Sequence, residues 1–172
     1  MKFSKHLTLA ALLLTAFVAN AAPPSTQEMI DIQQLYATYN QALDAGDAEG
    51  WANTFTPDGV FNKTNVGHDA LVTFAKGFYA QGSGMRRHWN TNLVLKSTAE
   101  GVDGSVYLML WDVGNRPATI IVTGIYEDKL VKTKDGWRFK SRTVKPDPSK
   151  GAAMPAPAPQ TAPQTPSGLQ TK

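Results

Sequence analysis

The stretch Tyr39-Asn-Gln-Ala-Leu-Asp-Ala-Gly-Asp-Ala-Glu-Gly-Trp51 decides the fold prediction, because one helix ends within it and a second begins. Upstream, Ser25 and Glu28 have the spacing of a capping box, which predicts a helix start. Gly46 is a typical helix end, and Asp47 can cap the next helix. Apolar residues recur at helical spacing between these signals, which indicates a helix with one buried face. That face carries Ile32, Leu35, Tyr36, Tyr39 and Leu43.

After this stretch the pattern changes from helices to strands. Trp51 and Phe55, four residues apart, give the short second helix a buried face, and a third helix is predicted from about Asp69. The breaks between the later segments are short enough for hairpins, so the sheet is predicted to be antiparallel. Helices first and strands later is typical of an α+β fold rather than alternating βαβ units. The predicted strands span about 87–98, 104–113, 118–131 and 136–145.

Further short motifs follow the opening stretch in a fixed order. They are Phe55 with Asp58-Gly59, Gly67-His-Asp-Ala-Leu71, Arg86-Arg-His-Trp-Asn-Thr-Asn92, Gly124-Ile-Tyr-Glu-Asp128 and Gly136-Trp-Arg-Phe-Lys-Ser-Arg142. This succession resembles the SnoaL-like branch of the nuclear transport factor 2-like superfamily, over roughly residues 25–146. The resemblance implies a cystatin-type α+β cone, in which a curved antiparallel sheet wraps around the N-terminal helix and encloses a pocket. It leaves the function open, because this fold hosts several chemistries and domains that only bind.

The two ends of the chain differ in composition from the middle. Basic residues precede an apolar run from Leu7 to Val18, and Ala19-Asn-Ala21 has the small residues of a cleavage site, so residues 1–21 are expected to be a secretory signal peptide. An uncleaved membrane anchor would need about 20 apolar residues. Residues 22–146 are the expected domain, and residues 147–172 have the Pro/Ala/Gln-rich composition of a disordered tail. We therefore expect a periplasmic or secreted protein with no stable membrane anchor after cleavage.

Charge and residue usage argue against several functions. The chain has 17 Lys and Arg against 14 Asp and Glu, and loss of Lys2 and Lys5 with the signal peptide would leave 15 against 14. Such near-neutrality argues against a nucleic-acid-binding protein, which needs a concentrated basic face. The absence of cysteine and the two histidines beyond the signal peptide argue against a zinc site, and no glycine-rich phosphate loop occurs. We therefore expect no metal and no cofactor.

Alternation along the first long strand predicts which side chains face the pocket. Successive side chains point to opposite faces, so one face carries His88, Asn90, Asn92 and Val94. The resemblance places His88 and Asn92 in the pocket. Asp112 on the next strand falls near Asn90 in the predicted hairpin register, although a shift of one residue would turn it outward. The alternative interpretation is that these polar residues simply face solvent.

The resemblance also implies a catalytic pair. In SnoaL-like dehydratases a carboxylate orients this histidine, and Asp44 matches the carboxylate by its position five residues after Tyr39. The implied catalytic residues are thus Asp44, His88 and Tyr39. Two of them also have a structural interpretation. Asp44 can be a capping or solvent-exposed residue of the last helical turn, and Tyr39 can be a core residue of the buried face. The candidate substrate-binding residues are Asn92, Trp51, Phe55, Asp112 and Tyr126.

Two functions from different classes follow from these residues. The first is a cofactor-independent dehydratase or isomerase, in which an imidazole and a carboxylate move protons on a small apolar or aromatic substrate. The second is a non-catalytic periplasmic ligand-binding or accessory domain, which the export signal and low-complexity tail favour. In both, the partner is a small molecule. The outer face of the sheet is a candidate homodimer surface.

Overall fold

The computed structural model describes residues 22–148, so the predicted signal peptide and almost all of the predicted tail lie outside the described residues. None of the described helices is long and apolar enough to cross a membrane. The helices are α1 (Thr26–Ala45), α2 (Ala48–Ala52) and α3 (His68–Gly82), and the strands are β1 (Phe55–Phe61), β2 (Asn65–Val66), β3 (Arg86–Ser97), β4 (Val102–Asp112), β5 (Thr119–Thr133) and β6 (Gly136–Pro146).

Helix α1 begins and ends where its capping signals predict. The Ser25 hydroxyl accepts a hydrogen bond from the Glu28 backbone, and the Glu28 carboxylate accepts one from the Ser25 backbone at 3.0 Å. At the other end, Gly46 has φ +79°, where an L side chain would be strained. A Cβ there would also lie 2.9 Å from ring carbons of Tyr79. This sharp end lets Asp47 cap α2 and turn the chain back over the core.

The strands form one six-stranded sheet in the order β2-β1-β6-β5-β4-β3. Strands β3 to β6 pair antiparallel, as predicted, and their ends lie within two residues of the predicted positions. Strand β1 joins the other side of β6 in parallel, so the sheet is mixed. Phe55 belongs to β1 and not to α2, because α2 ends at Ala52 and the Thr54 carbonyl already bonds to Phe139 of β6. The predicted α+β class is confirmed.

The core lies between the helices and one face of the sheet. Tyr39 on α1 is at its centre, with its ring centroid 5.5 Å from that of Phe139 on β6 and 6.0 Å from that of Tyr126 on β5. The largest of the described side chains that are buried almost completely are Ile32, Tyr39, Trp51, Leu71, Tyr126, Leu130, Phe139 and Arg142.

A β-bulge in β3 corrects the predicted alternation. Thr91 pairs with Tyr107 and Val94 pairs with Ser105, so two residues of β3 stand opposite one residue of β4. Asn92, in the bulge, has φ +60°. Beyond it Leu93 packs against the core, whereas Val94 is 65% exposed. The prediction that Val94 shares the face of His88 is therefore wrong, because an extra residue reverses the alternation.

Candidate functional site

Asp44 and His88 meet where the last turn of α1 passes the start of β3. The ring nitrogen Nδ1 of His88 lies 2.6 Å from Oδ1 of Asp44, and the His88 backbone N–H donates to Oδ2 at 2.9 Å. Both carboxylate oxygens thus hold one residue, which fixes the plane of the imidazole. The two side chains are 3% and 10% exposed, so water competes little for these bonds. With Nδ1 engaged by Asp44, Nε2 is the ring nitrogen left for a ligand.

His88 lines a cavity of about 260 Å³ bounded by α1, α3 and the inner face of the sheet. Its walls are mainly apolar, as is usual for small-molecule sites, and its volume suits a small ligand. Among the described residues, the polar side chains of its lining belong to Tyr39, Asn62, His88 and Tyr126. Asn62 is already engaged, because its Oδ1 accepts from the Val144 backbone at 2.8 Å. The apolar lining comes from Leu43, Phe61, Phe74, Phe78, Leu108, Leu110, Val122, Val144 and Pro146.

Beneath the tyrosines of the cavity lies a buried ionic cluster that the sequence did not predict. Arg142 donates from Nε and Nη2 to the two carboxylate oxygens of Asp128, both at 2.7 Å, and neither side chain is exposed. The Tyr36 hydroxyl donates to the same carboxylate. The guanidinium is also enclosed by aromatic rings, which attract a cation through their faces. Its central carbon lies 4.0–4.6 Å from the ring centroids of Tyr36, Tyr39, Tyr126 and Phe139.

The cluster keeps its arginine charged and its tyrosines protonated. Burial by itself would lower the pKa of Arg142, but the negative charge of Asp128 raises it overall. Burial raises the pKa of Tyr39 and of Tyr126, and the positive charge of Arg142 only partly opposes this. Burial, with the charge of Asp128, also raises the pKa of Tyr36. Around neutral pH, the phenol groups are therefore hydrogen-bond donors.

One signal in the sequence could have revealed this cluster. Asp128 and Arg142 are direct cross-strand partners on β5 and β6. Each is a charged residue on the strand face that is otherwise apolar, and opposite charges at such positions indicate a buried ion pair. Both residues close a predicted motif, but the hairpin register was needed to pair them.

Four of the predicted site residues, His88 among them, line the cavity or hold a residue that does. Tyr39 and Tyr126 contribute to its lining, and Asp44 lies behind His88. Trp51 and Phe55 belong to the core instead, with ring centroids 5.1 Å apart. Their rings pack behind Phe61 and Phe74 of the cavity wall, so the prediction that they contact substrate is corrected.

The two remaining predicted residues lie away from the cavity. Asp112 stands opposite Arg86, four residues further along β4 than the partner of Asn90, which is Leu108. The hairpin turn lies earlier than predicted, between Ser97 and Val102, and this shifts the whole register. The Asp112 carboxylate accepts a hydrogen bond from the backbone of a nearby loop residue at 2.8 Å. Asn92 borders a different cleft, because the bulge turns its side chain away from the cavity.

No cluster of three or more side chains suited to a metal ion occurs among residues 22–148. The described cavity has side chains of its own that can take part in acid–base chemistry. It has a carboxylate-oriented imidazole at one side and two neutral phenols above a buried cation at another.

Comparison with known proteins identifies the family. The sequence pattern of the SnoaL-like domain matches residues 25–143. The chain belongs to the SnoaL-like domain family. Solved structures with the same architecture are described as having a cystatin-like fold and as nuclear transport factor 2-like, which agrees with the cone predicted above. None of the curated proteins matches the sequence.

Three solved structures show how far the similarity extends. This SnoaL-like domain is similar to Rv3472 of Mycobacterium tuberculosis, described as of unknown function, with 28% identity, a TM-score of 0.62 and coverage of 70% of this chain and 72% of that chain. A Catenulispora acidiphila protein, solved in complex with S-DNPA, is 29% identical, with a TM-score of 0.63 and coverage of 71% and 95%. A candidate scytalone dehydratase of Novosphingobium aromaticivorans is 22% identical, with a TM-score of 0.59 and coverage of 75% and 90%, and shares the fold.

Family membership and the cavity support the same general conclusion. This SnoaL-like domain is a small-molecule-binding domain. The apolar cavity beside His88 has the volume and the few polar groups that such a ligand requires.

Proposed function

We propose that this SnoaL-like domain is a cofactor-independent acid–base enzyme of the dehydratase or isomerase type. The observation that carries the proposal is the Asp44–His88 pair, with Nδ1 and Oδ1 2.6 Å apart, opening into an apolar cavity. A buried carboxylate that orients an imidazole equips the free ring nitrogen to take and return a proton. The apolar walls select a small apolar or aromatic substrate.

In the proposed reaction, Nε2 of His88 removes a proton from a carbon of the substrate, and the electron pair of the C–H bond moves into the substrate. The imidazolium that forms is stabilised by the carboxylate of Asp44. In an isomerisation the same nitrogen returns the proton to another carbon. In a dehydration it gives the proton to a departing hydroxide, so that water leaves and a double bond remains.

The two phenols of the cavity complete the proposed chemistry. Tyr39 and Tyr126 are protonated donors, and the Tyr39 hydroxyl has no hydrogen-bond partner among the described residues. A substrate oxygen that gains negative charge during proton removal can accept from them. The cation of Arg142 lies 4.2 Å from the Tyr39 ring centroid and favours that charge.

Hydrogen exchange in D₂O tests this proposal without knowledge of the natural substrate. The probe is 2-tetralone, a small aromatic ketone whose C–H bonds are weakly acidic, and deuterium uptake is followed by NMR. The expected result is catalysed exchange that falls by about 100-fold or more in His88→Gln, in line with the usual contribution of a general base. Saturable binding of the probe with no catalysed exchange would overturn the enzymatic proposal.

The competing proposal is a non-catalytic periplasmic ligand-binding or accessory domain. The predicted signal peptide and low-complexity tail favour it, because both are typical of exported proteins that act outside the cytoplasm. Binding without exchange in the same experiment is its expected signature. The proposed periplasmic or secreted location has a separate test, since mass spectrometry of the protein from its cells should show a mature chain beginning at Ala22.

We also propose that the outer face of the sheet forms a homodimer. In a monomer this face exposes aromatic side chains to solvent, and Trp89 is 52% and Tyr107 51% exposed. Trp89 packs against Trp111 at a centroid distance of 4.9 Å, which makes a continuous aromatic surface. Aromatic residues are enriched in the buried centres of protein interfaces.

A further inference from the structure

A second cleft, of about 390 Å³, shares no lining residue with the His88 cavity. It lies where α1 passes beside β3, the strand at one edge of the sheet. No step of the proposed reaction uses it. Helix α1 contributes Gln33, Tyr36, Ala37 and Asn40, and the strands contribute residues 90–93 and Val106.

The polar groups of this cleft are neutral. Among the described residues that line the cleft, Tyr36 is the one titratable residue, and its hydroxyl already donates to Asp128. A carboxamide has both donors and an acceptor, which is the complement of a hydroxyl group. A charged ligand would lose its hydration here without gaining a counter-charge. The carboxamides are Gln33, Asn40, Asn90 and Asn92.

Two of these amides are locked in one orientation. Nδ2 of Asn40 donates to Oδ1 of Asn90 at 2.7 Å, and Nδ2 of Asn90 donates to the Tyr107 carbonyl at 3.3 Å. As a result, Oδ1 of Asn40 is buried and has no partner among residues 22–148. Buried acceptors are rarely left unsatisfied. A ligand that donates an O–H at this point would complete the network.

The bulge of β3 shapes the rest of the cleft. Asn92 adopts φ +60°, a left-handed conformation that is strained for most residues and occurs at turns and functional sites. It stands at the rim, where its side chain is exposed. Ala37, Leu93 and Val106 give the cleft an apolar surface as well. The combination suits a ligand with hydroxyls around its edge and an apolar face.

We propose that this cleft is a second binding site, for a neutral, hydroxyl-rich ring such as a sugar of one or two units. A ring hydroxyl donates to Oδ1 of Asn40, and the exposed amides of Gln33 and Asn92 bind hydroxyls at the rim. The apolar face of the ring covers Ala37. The site is independent of the acid–base reaction proposed for the His88 cavity.

NMR titration at pH 6 tests this site, with the side-chain amide signals of Asn40 and Asn90 as the readout. The probes are glucose and trehalose, with glucosamine as a cation and glucuronate as an anion of similar size. Saturable shifts are expected with a neutral sugar, at a Kd of about 1–10 mM and about 10-fold tighter than with either charged sugar. No saturable shift with either neutral sugar, or equal binding of all four probes, would overturn the proposal.

Two variants locate the site. Ala37→Trp fills the cleft and should abolish the shifts, whereas the matched variant Gln34→Trp, exposed on α1 but outside the cleft lining, should bind as the wild type does. A folded Ala37→Trp protein that binds normally would refute the location. Asn40→Asp keeps the shape and adds a negative charge, so it should reverse the preference toward glucosamine. An unchanged preference would also count against the site, even if Ala37→Trp did not fold.

Discussion

Separating Arg142 from Asp128 is expected to be among the most destabilising changes in this domain. Arg142→Met leaves the Asp128 carboxylate buried with only the Tyr36 hydroxyl as partner, and Asp128→Leu leaves a guanidinium inside the aromatic cage. Both side chains have zero exposure, so neither charge can reach water without local unfolding. Removing one partner of such a pair costs about 3–5 kcal/mol.

The double variant separates the loss of a partner from the loss of packing. Met and Leu fill much of the same space and carry no charge, and a buried ion pair replaced by apolar groups is often neutral or stabilising. The protein with both substitutions should therefore be less destabilised than either single variant. Tyr36→Phe added to the pair should cause little further loss, because its hydroxyl has then lost its acceptor.

Urea denaturation of the full chain, followed by circular dichroism, measures the free energy of unfolding of the wild type and of the four variants. In a domain of this size, each single variant should also lower Tm by roughly 10–20 °C. The conservative control is Lys129→Met with Asp103→Leu, an exposed ion pair on the same sheet with N and O atoms 3.2 Å apart, which should cost less than about 1 kcal/mol. Single-variant costs below about 1 kcal/mol at Arg142 and Asp128, or simple additivity in the double variant, would refute the reasoning.

Three further outcomes are expected. Asp44→Asn and His88→Gln should each abolish most of the catalysed exchange, and the double variant should lose little more, because the effects of residues that act as one unit are not additive. If the loss of rate in the double variant equalled the product of the two single losses, Asp44 and His88 would not act as a pair. The three tyrosines around Arg142 have raised pKa values when folded, so they remain protonated while unfolded tyrosine ionises near pH 10. The stability of the fold should thus be retained below about pH 10 and be lost as the pH rises further. This would be contradicted if a spectrophotometric titration showed that all five tyrosines ionise before the protein unfolds. Sedimentation should show a dimer that Trp89→Arg converts to a monomer, and a wild-type monomer at about 100 μM, a concentration well above the Kd range of ordinary specific complexes, would exclude the proposed interface.

The elements of the fold could be predicted from the sequence because their signals are local. The capping box at Ser25 and the helix end at Gly46 depend on residues a few positions apart, and the structure confirms both. The family resemblance brought Asp44 and His88 together across 44 positions, and the structure places their side chains in contact. The pairing of β1 was not predicted, because its parallel partner β6 lies far along the chain and no local signal names it.

Only the tertiary structure decided how the strands pair, and so which side chains lie on the same face of the sheet. One extra residue at Asn92 reverses the alternation of β3, and a turn placed a few residues earlier moves Asp112 out of reach of the cavity. The same register brings Asp128 opposite Arg142 and closes four aromatic rings around the guanidinium. These outcomes depend on cross-strand pairing over the whole sheet, in which a shift of one position exchanges the buried and exposed faces. The sequence therefore determined the elements through local signals and the contact between Asp44 and His88 through the family resemblance. Pairing between distant strands determined the cavity, the Arg142–Asp128 cluster beneath it and the second cleft.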